Sequence, residues 1–172
     1  VNLTNAANVA EIASDSIYVF SNLQLTRGIA QFNDDLNTDP VVVTVSGDVS
    51  VAANGGIEVS TINARHEFNL HGDFTNQGVV NFTNRNSAIT GAEATDGIVD
   101  VNFVSTTQDQ IVLLQNTTDF YRIEINKGVD DTYMVDLSAT DPSFFNLYGF
   151  AGLATNSAQL TTNANALGLI FG

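Results

Sequence analysis

The stretch Phe68-Asn69-Leu70-His71-Gly72-Asp73-Phe74 decides the fold, because approximate copies of it recur along the chain. Ile17-Tyr18-Val19-Phe20-Ser21-Asn22-Leu23 and Val43-Thr44-Val45-Ser46-Gly47-Asp48-Val49 share its alternation of apolar and polar residues up to a small one. Phe145-Asn146-Leu147-Tyr148-Gly149 repeats its first five positions. The small residue recurs after 26, 25 and then 77 residues, the last step being about three periods. A fixed period of this length predicts a solenoid.

Each copy is followed after ten to twelve residues by a second apolar-polar-apolar triplet, so every period holds at least two short strands. The triplets are Ala30-Gln31-Phe32, Ile57-Glu58-Val59, Val80-Asn81-Phe82 and Ala158-Gln159-Leu160. Gly, Asn, Asp and Thr lie between the strands and favour tight turns. Val99-Asp100-Val101-Asn102-Phe103 and Ile123-Glu124-Ile125-Asn126-Lys127-Gly128 are candidates for two further rungs, in another phase of the repeat.

A rung of about 25 residues with two or three strands closes around a narrow apolar core. The sequence therefore predicts an all-β fold, a right-handed parallel β-helix of about seven rungs. Equivalent inward residues should stack: Val45 under Leu70, Val49 under Phe74 and Val59 under Phe82, with Leu147 in the same core. An antiparallel β-sandwich is the alternative, although a sandwich does not predict a constant period.

We expect one elongated domain over residues 1–172, because no segment has the composition of a linker. No apolar run reaches the 18 or so residues of a membrane span, and no basic stretch precedes an apolar segment at the N-terminus. Residues 166–172 resemble a strand that needs another rung above it. We therefore expect a fragment of a longer chain, or a chain that docks on a partner at that end.

Charge and cysteine content limit the function classes. The net charge is −14, with five basic residues among 172, which leaves no basic patch for phosphate groups and makes nucleic acid and anionic membranes poor candidates as partners. A surface of uncharged polar residues with an acidic excess is typical of extracellular repeat proteins. The absence of cysteine excludes a thiolate nucleophile and is compatible with the extracellular space.

Three stretches carry a resemblance to a known family: Gly47-Asp48-Val49-Ser50-Val51 with the following Gly55-Gly56-Ile57-Glu58-Val59, residues 68–82, and residues 120–128. They resemble the repeats of very large cell-surface proteins of Bacteroidota, over roughly residues 41 to 172. The resemblance implies export by the type IX secretion system and a role as an adhesin, a gliding-associated filament or a surface-layer stalk. Asp15-Ser16-Ile17 also matches an O-glycosylation motif of that phylum at Ser16, although we interpret it as a turn entering the first strand.

Two groups of acidic residues have spacings that could hold a cation. Asp35-Leu36-Asn37-Thr38-Asp39 has the alternating oxygen ligands of a Ca²⁺ loop, but Pro40 and Ser46 replace the glycine and glutamate of an EF-hand. We interpret Asp35, Asn37 and Asp39 as a solvated acidic loop, and the same holds for Asp130, Asp131, Asp136 and Asp141. The sequence therefore predicts neither a metal site nor a cofactor.

The histidines and aromatic residues are assigned to sides of the strands by alternation. His66 and His71 lie five residues apart, on opposite sides of a strand, and we predict both as polar outward positions. Phe74, Phe82, Phe120 and Phe145 are predicted to fill the core. Alternation places Tyr121 and Tyr148 outward, where they are candidates for an exposed contact.

The sequence thus predicts a non-catalytic structural or adhesive module of a secreted bacterial cell-surface protein. Its partners would be neighbouring repeats or a surface or secretion complex, with glycans as a further class. A carbohydrate-active β-helix, either a polysaccharide lyase or a glycosidase, is the enzymatic alternative. It is disfavoured because the five basic residues fall at unrelated phases of the repeat and the acidic residues lie mainly in turns. Cargo of an outer-membrane secretion assembly is a third hypothesis.

Overall fold

A computed structural model describes residues 2–12, 17–32, 40–59, 64–83, 97–128, 132–148, 159–162 and 169–171. The chain is all-β, and its strands pair in parallel to form a β-solenoid, so the β-helix prediction is confirmed and the antiparallel sandwich is wrong. The strands are β1 Asn2–Ile12, β2 Ile17–Phe20, β3 Leu23–Phe32, β4 Val42–Val45, β5 Val49–Val59, β6 Arg65–Leu70, β7 Phe74–Asn76, β8 Val79–Asn81, β9 Ile98–Phe103, β10 Gln110–Leu114, β11 Thr118–Phe120, β12 Arg122–Ile125, β13 Val135–Ala139, β14 Phe145–Leu147, β15 Gln159–Thr162 and β16 Leu169–Phe171. One turn of 3₁₀ helix, Pro142–Phe144, precedes β14.

One turn of the solenoid crosses three β-faces. Face 1 stacks the six described strands β2, β4, β6, β9, β12 and β15. The long strands β1, β3 and β5 each lie on two faces. Their first halves stack with β7, β10, β13 and β16 to form face 2. Their second halves stack with β8, β11 and β14 to form face 3. The long strand β3 passes from face 2 to face 3 where its register with β5 shifts, between Leu25 and Arg27.

About four turns, from β4 to β14, lie between the terminal strands β1 to β3 and β15 to β16, which is fewer than the seven turns predicted. The paired residues at the end of each face 1 strand are Phe20, Val45, Leu70, Phe103, Ile125 and Thr162, which gives steps of 25, 25, 33, 22 and 37 residues. The period is therefore constant only in the first half of the chain. Dividing the length by 25 overcounts the turns, in part because two of the later steps lengthen to 33 and 37 residues.

The predicted stacking within the core is confirmed for Val45 with Leu70 and for Val49 with Phe74. Val45 pairs with Leu70 and Val49 with Phe74, and all four side chains are buried. Val59 and Phe82 are also buried, in the same apolar cluster. Equivalent apolar residues of successive turns pack on one another. Every turn therefore covers the apolar side chains of the turn below it and removes their surface from water.

Phenylalanine rings form a continuous row inside the solenoid. Phe32, Phe68, Phe82, Phe120 and Phe145 contact one another in this order, with ring centroids 5.5 to 5.7 Å apart. Phe74 joins the row through Phe82. The prediction that Phe74, Phe82, Phe120 and Phe145 fill the core is confirmed, with Phe145 partly buried against it.

The copy at Phe145-Asn146-Leu147 was assigned to the wrong face. It forms β14, which pairs with β11 on face 3, so Leu147 stacks on Phe120 and not in the column of Val45 and Leu70. Leu147 still packs partly buried against the shared core. The true successors of Leu70 on face 1 are Phe103 and Ile125, whose strands were predicted as rungs in another phase.

Glycine recurs at two corners because neighbouring turns approach closely there. A Cβ on Gly72 would overlap the backbone of Gly47 in the turn below, and a Cβ on Gly78 would overlap the carbonyl oxygen of Gly55. The small residue that marks the repeat is thus a steric requirement of the stack.

Within the described residues, no helix is long and apolar enough to cross a membrane.

Candidate functional site

A staircase of Asx side chains follows the corner between faces 1 and 2. Asn22 Oδ1 accepts the backbone N–H of Asp48 at 2.8 Å, and Asp48 Oδ1 accepts that of Asp73 at 3.0 Å. Asp73 Oδ1 in turn accepts the N–H of Ile111 at 2.8 Å. Each side chain therefore caps the next turn, so these acidic residues have a structural role along the corner.

The lysine Lys127 is buried at the same corner, two turns above Gly72. Its Nζ donates to the carbonyl oxygen of Gln108 at 2.7 Å and to Gln110 Oε1 at 2.8 Å. Gln110 Nε2 donates to the carbonyl oxygens of Leu70 and Gly72 at 3.0 and 2.7 Å. Three successive turns are thereby joined through one buried ammonium and one buried carboxamide. Such a network is a structural clasp, since its donors and acceptors already satisfy one another.

Replacing Lys127 by methionine should lower the free energy of unfolding by about 2 kcal/mol, because buried acceptors lose a charged donor. Burial lowers the pKa of Lys127 to about 8, while Asp109 and Asp73 oppose that shift. Between about pH 8 and 10.5 the unfolded chain therefore binds more protons than the folded one. The free energy of unfolding of the wild type should consequently increase relative to that of the variant as the pH rises.

Urea unfolding at pH 7 and at pH 10 measures both effects. Arg27→Met is the matched control, because Arg27 is exposed and the charge change is the same. It should alter stability by less than about 0.5 kcal/mol. Equal stabilities of the two variants would contradict the clasp.

A group of ionic side chains lies on the outer surface of face 1. Arg65 Nε donates to Asp100 Oδ2 at 2.7 Å, and Arg122 Nε lies 3.5 Å from Asp100 Oδ1. Arg122 Nη2 donates to Glu124 Oε2 at 3.1 Å, and Glu67 pairs with Asp100 in the strand register. The statement that basic residues occupy unrelated phases is therefore wrong for Arg65 and Arg122, which flank one carboxylate from neighbouring turns.

The accessibility of this ionic group decides what chemistry it can support. The Asp100 side chain is only 6% exposed, whereas those of Arg65 and Arg122 are 36% and 25% exposed. A general base or nucleophile must reach its substrate, and Asp100 is covered and held by two guanidinium groups. The exposed parts of the arginines could still contact an anionic group.

The histidines do not both point outward. His66 is buried, and its Nδ1 accepts the backbone N–H of Val41 at 3.0 Å beside the ring of Phe32. The prediction of an outward His66 is wrong, because His66 shares the parity of the inward residues Phe68 and Leu70 on the same strand. His71 lies half-buried in the corner that follows β6.

Acid should weaken the fold through His66. Burial lowers the pKa of His66 from 6.5 to about 4. Between these pH values the His66 imidazole is protonated in the unfolded chain but not in the folded one. The free energy of unfolding therefore falls by up to about 1.4 kcal/mol per pH unit as the pH drops from 6.5 toward 4.

Chemical unfolding at several pH values from 7 to 4.5 should show this slope for the wild type and for a His71→Gln control. The slope should be smaller for His66→Gln. Parallel curves for all three proteins would rule out His66 as the cause.

The two tyrosines singled out by alternation behave differently. Tyr121 is fully buried, so its predicted outward position is wrong. It is the single residue between β11 and β12, at a corner where the alternation of a strand no longer applies. Tyr148 follows β14 and is partly exposed, in agreement with the prediction.

A polar column on the outer surface of face 3 leads to Tyr148. Asn81, Asp119 and Asn146 are paired neighbours in three successive turns. Asn146 Nδ2 donates to Asp119 Oδ1 at 2.9 Å. Burial raises the pKa of Asp119, although the hydrogen bond from Asn146 opposes the shift. Burial and the nearby Asp119 carboxylate raise the pKa of Tyr148 as well, which places the phenol in the field of that carboxylate.

Of the acidic residues considered as calcium ligands, only Asp136 and Asp141 lie within the described part of the chain. Asp35, Asn37 and Asp39 lie outside the described residues, as do Asp130, Asp131 and the motif at Ser16. Asp141 caps the 3₁₀ helix, where its Oδ1 accepts from Ser143 N at 2.9 Å and from Ser143 Oγ at 2.7 Å. Asp136 is exposed on face 2. In the described part of the chain, no group of three or more His, Cys, Asp or Glu side chains is placed to hold a metal ion.

No protein-family model, curated protein or solved structure matches this chain.

Proposed function

We propose that the chain is a non-catalytic structural and adhesive module of a secreted bacterial cell-surface protein, and that its coil is right-handed. The observation that best supports the module is the stack of three-faced turns from β4 to β14, held by parallel ladders and an apolar interior. A body of this kind supplies length and extended outer surfaces without a moving part. The acidic, lysine-poor surface and the resemblance to Bacteroidota surface repeats support export and a cell-surface location.

The outer surfaces support adhesion in a second way. They carry columns of polar side chains at the spacing of stacked strands, about 4.8 Å. Face 1 presents Thr44, Asn69, Asn102 and Glu124 in one such column. A ligand with a repeating structure can meet the same type of group turn after turn, which turns weak contacts into avidity.

Adhesion can be tested with beads that carry the chain at a fixed density. Attachment to immobilised polysaccharides and to bacterial cells is counted under flow and compared with beads that carry Gly72→Ala, a variant expected to be strongly destabilised, at a temperature above its unfolding midpoint. We expect attachment of the folded chain well above that of the variant. Equal attachment of the two would overturn the proposal.

A carbohydrate-active enzyme is the second candidate, because Arg65 and Arg122 from different turns flank Asp100 as a uronate-acting site would require. It ranks lower because Asp100 is covered. Incubation with uronate and neutral polysaccharides, followed by measurement of new reducing or unsaturated ends, tests it. Product release by the wild type that Asp100→Asn abolishes would favour the enzyme over the adhesive module.

A further inference from the structure

We propose that the outer surface of face 3 around Tyr148 is a binding subsite for a neutral glycan, formed by Tyr148, Asp119, Asn146 and Asn81. This inference deepens the adhesive function proposed above and rests on it. Asn81, Asp119 and Asn146 come from three successive turns and share one outer surface, and Tyr148 follows β14 within the field of the Asp119 carboxylate.

The register fixes how these side chains are spaced. Asn81, Asp119 and Asn146 follow one another at the strand separation of about 4.8 Å, so the column spans about 10 Å. Tyr148 lies two residues beyond Asn146, just past the end of β14, and its phenol is close enough to the Asp119 carboxylate for that charge to raise its pKa, so the ring lies beside the column. A patch of this size matches one or two sugar rings.

The chemistry of the side chains matches a sugar. The apolar C–H face of a pyranose packs on an aromatic ring, and Tyr148 provides a partly exposed one. Sugar hydroxyls both donate and accept, and they need planar carboxylate and carboxamide groups beside that ring. Asp119 supplies acceptor oxygens and Asn81 supplies both functions. Asn146 fixes the Asp119 carboxylate through Oδ1 at 2.9 Å and is itself held by the carbonyl oxygen of Ser143 at 3.3 Å.

The local charge selects the class of glycan. Asp119 lies on this surface together with Glu58 from a lower turn of the same face. Arg27 lies in β3, three strands below Asp119, and Arg122 beside the Tyr148 corner is engaged by Asp100 and Glu124. A uronate or sulfated sugar would meet like charge there, in a protein with a net charge of −14. A neutral sugar would not, and its hydroxyls can donate to the carboxylate. The occupant is therefore a neutral glycan.

Binding of purified neutral hexasaccharides of glucose, mannose, galactose and xylose, and of hexauronates, tests the proposal when it is measured with the immobilised chain. We expect at least one neutral hexasaccharide to bind and the hexauronates to bind at least tenfold more weakly. Tyr148→Ala and Asp119→Asn should weaken neutral binding at least tenfold. Tyr133→Ala and Asp136→Asn are matched controls on face 2 and its corner, and they should change it less than twofold.

Melting curves verify that each variant is folded. If Tyr148→Ala is unstable, Asp119→Asn still tests the subsite, because its carboxamide oxygen can accept the hydrogen bond from Asn146. Unchanged binding by both folded subsite variants, preference for uronates, or no binding of any neutral hexasaccharide would overturn the subsite. The bead assay separates this failure from failure of the proposed function. Attachment that persists in both subsite variants leaves the adhesive module standing, whereas no attachment by the wild type removes it.

Discussion

Replacing Phe82 by alanine should lower the free energy of unfolding by about 3 to 5 kcal/mol, because a fully buried ring is removed from the centre of the core. Phe82 contacts Phe68, Phe74 and Phe120, with ring centroids 5.7, 6.1 and 5.5 Å away. The turns above and below hold the surrounding backbone by their ladders, so the cavity cannot collapse. Urea unfolding followed by circular dichroism measures the loss.

Two further substitutions serve as controls for the cavity. Phe82→Leu fills most of the space and should cost less than about 2 kcal/mol. Val79→Ala on the outer surface of the neighbouring strand, where Val79 is 48% exposed, should change little. A Phe82→Ala protein as stable as Val79→Ala would show that the row of rings does not support the stack.

Replacing Gly72 by alanine should cost more than about 3 kcal/mol, because the added methyl group would overlap the backbone of Gly47 and crowd Asp48 Oδ1 in the turn below. The clash can be relieved only by separating two turns, which would stretch the hydrogen bond between Asp73 N and Asp48 Oδ1. Overpacking against backbone of this kind exceeds the usual penalty for an extra methyl group. Thermal unfolding should show a lower midpoint or no cooperative transition.

Gly56→Ala is the matched control for this steric effect. Its Cβ would lie 3.1 Å from the carbonyl oxygen of Val79 and 3.5 Å from Ile29 Cγ1, so small adjustments suffice. Both variants lose the same entropy in the unfolded chain. Gly56→Ala should therefore cost about 1 kcal/mol or less, and similar midpoints for the two variants would contradict close approach at the Gly72 corner.

Much of the fold could be predicted because the residues that stack in the core belong to a short alternating pattern that repeats along the chain. The alternation around Val45 and Leu70 identifies inward residues, and their separation of 25 residues places them one turn apart. His66 could also have been placed correctly, since it has the same parity as Phe68 and Leu70. The phase of Phe145 to Leu147 could not, because the corners before it change length and the alternation is the same on every face.

The candidate sites were harder to predict for the same reason. Arg65, Asp100 and Arg122 meet only because strands 33 and 22 residues apart lie side by side, and neither separation equals the period of the first half. Asp119 and Asn146 are separated by 27 residues and join through a register that the copies do not reveal. A signal was present at Tyr148, where alternation alone indicated an outward aromatic ring.

The corner between faces 3 and 1 varies in length far more than its neighbours do. One residue separates β11 from β12, whereas sixteen residues separate β8 from β9, and the strands on both sides keep their parallel pairing. The number of residues between strands at this edge therefore has little effect on the stacking energy, since chain closure becomes only slightly more costly as the connection lengthens. The edge is accordingly a natural insertion site, where a foreign peptide or reporter could be carried at a chosen height along the rod without altering its frame.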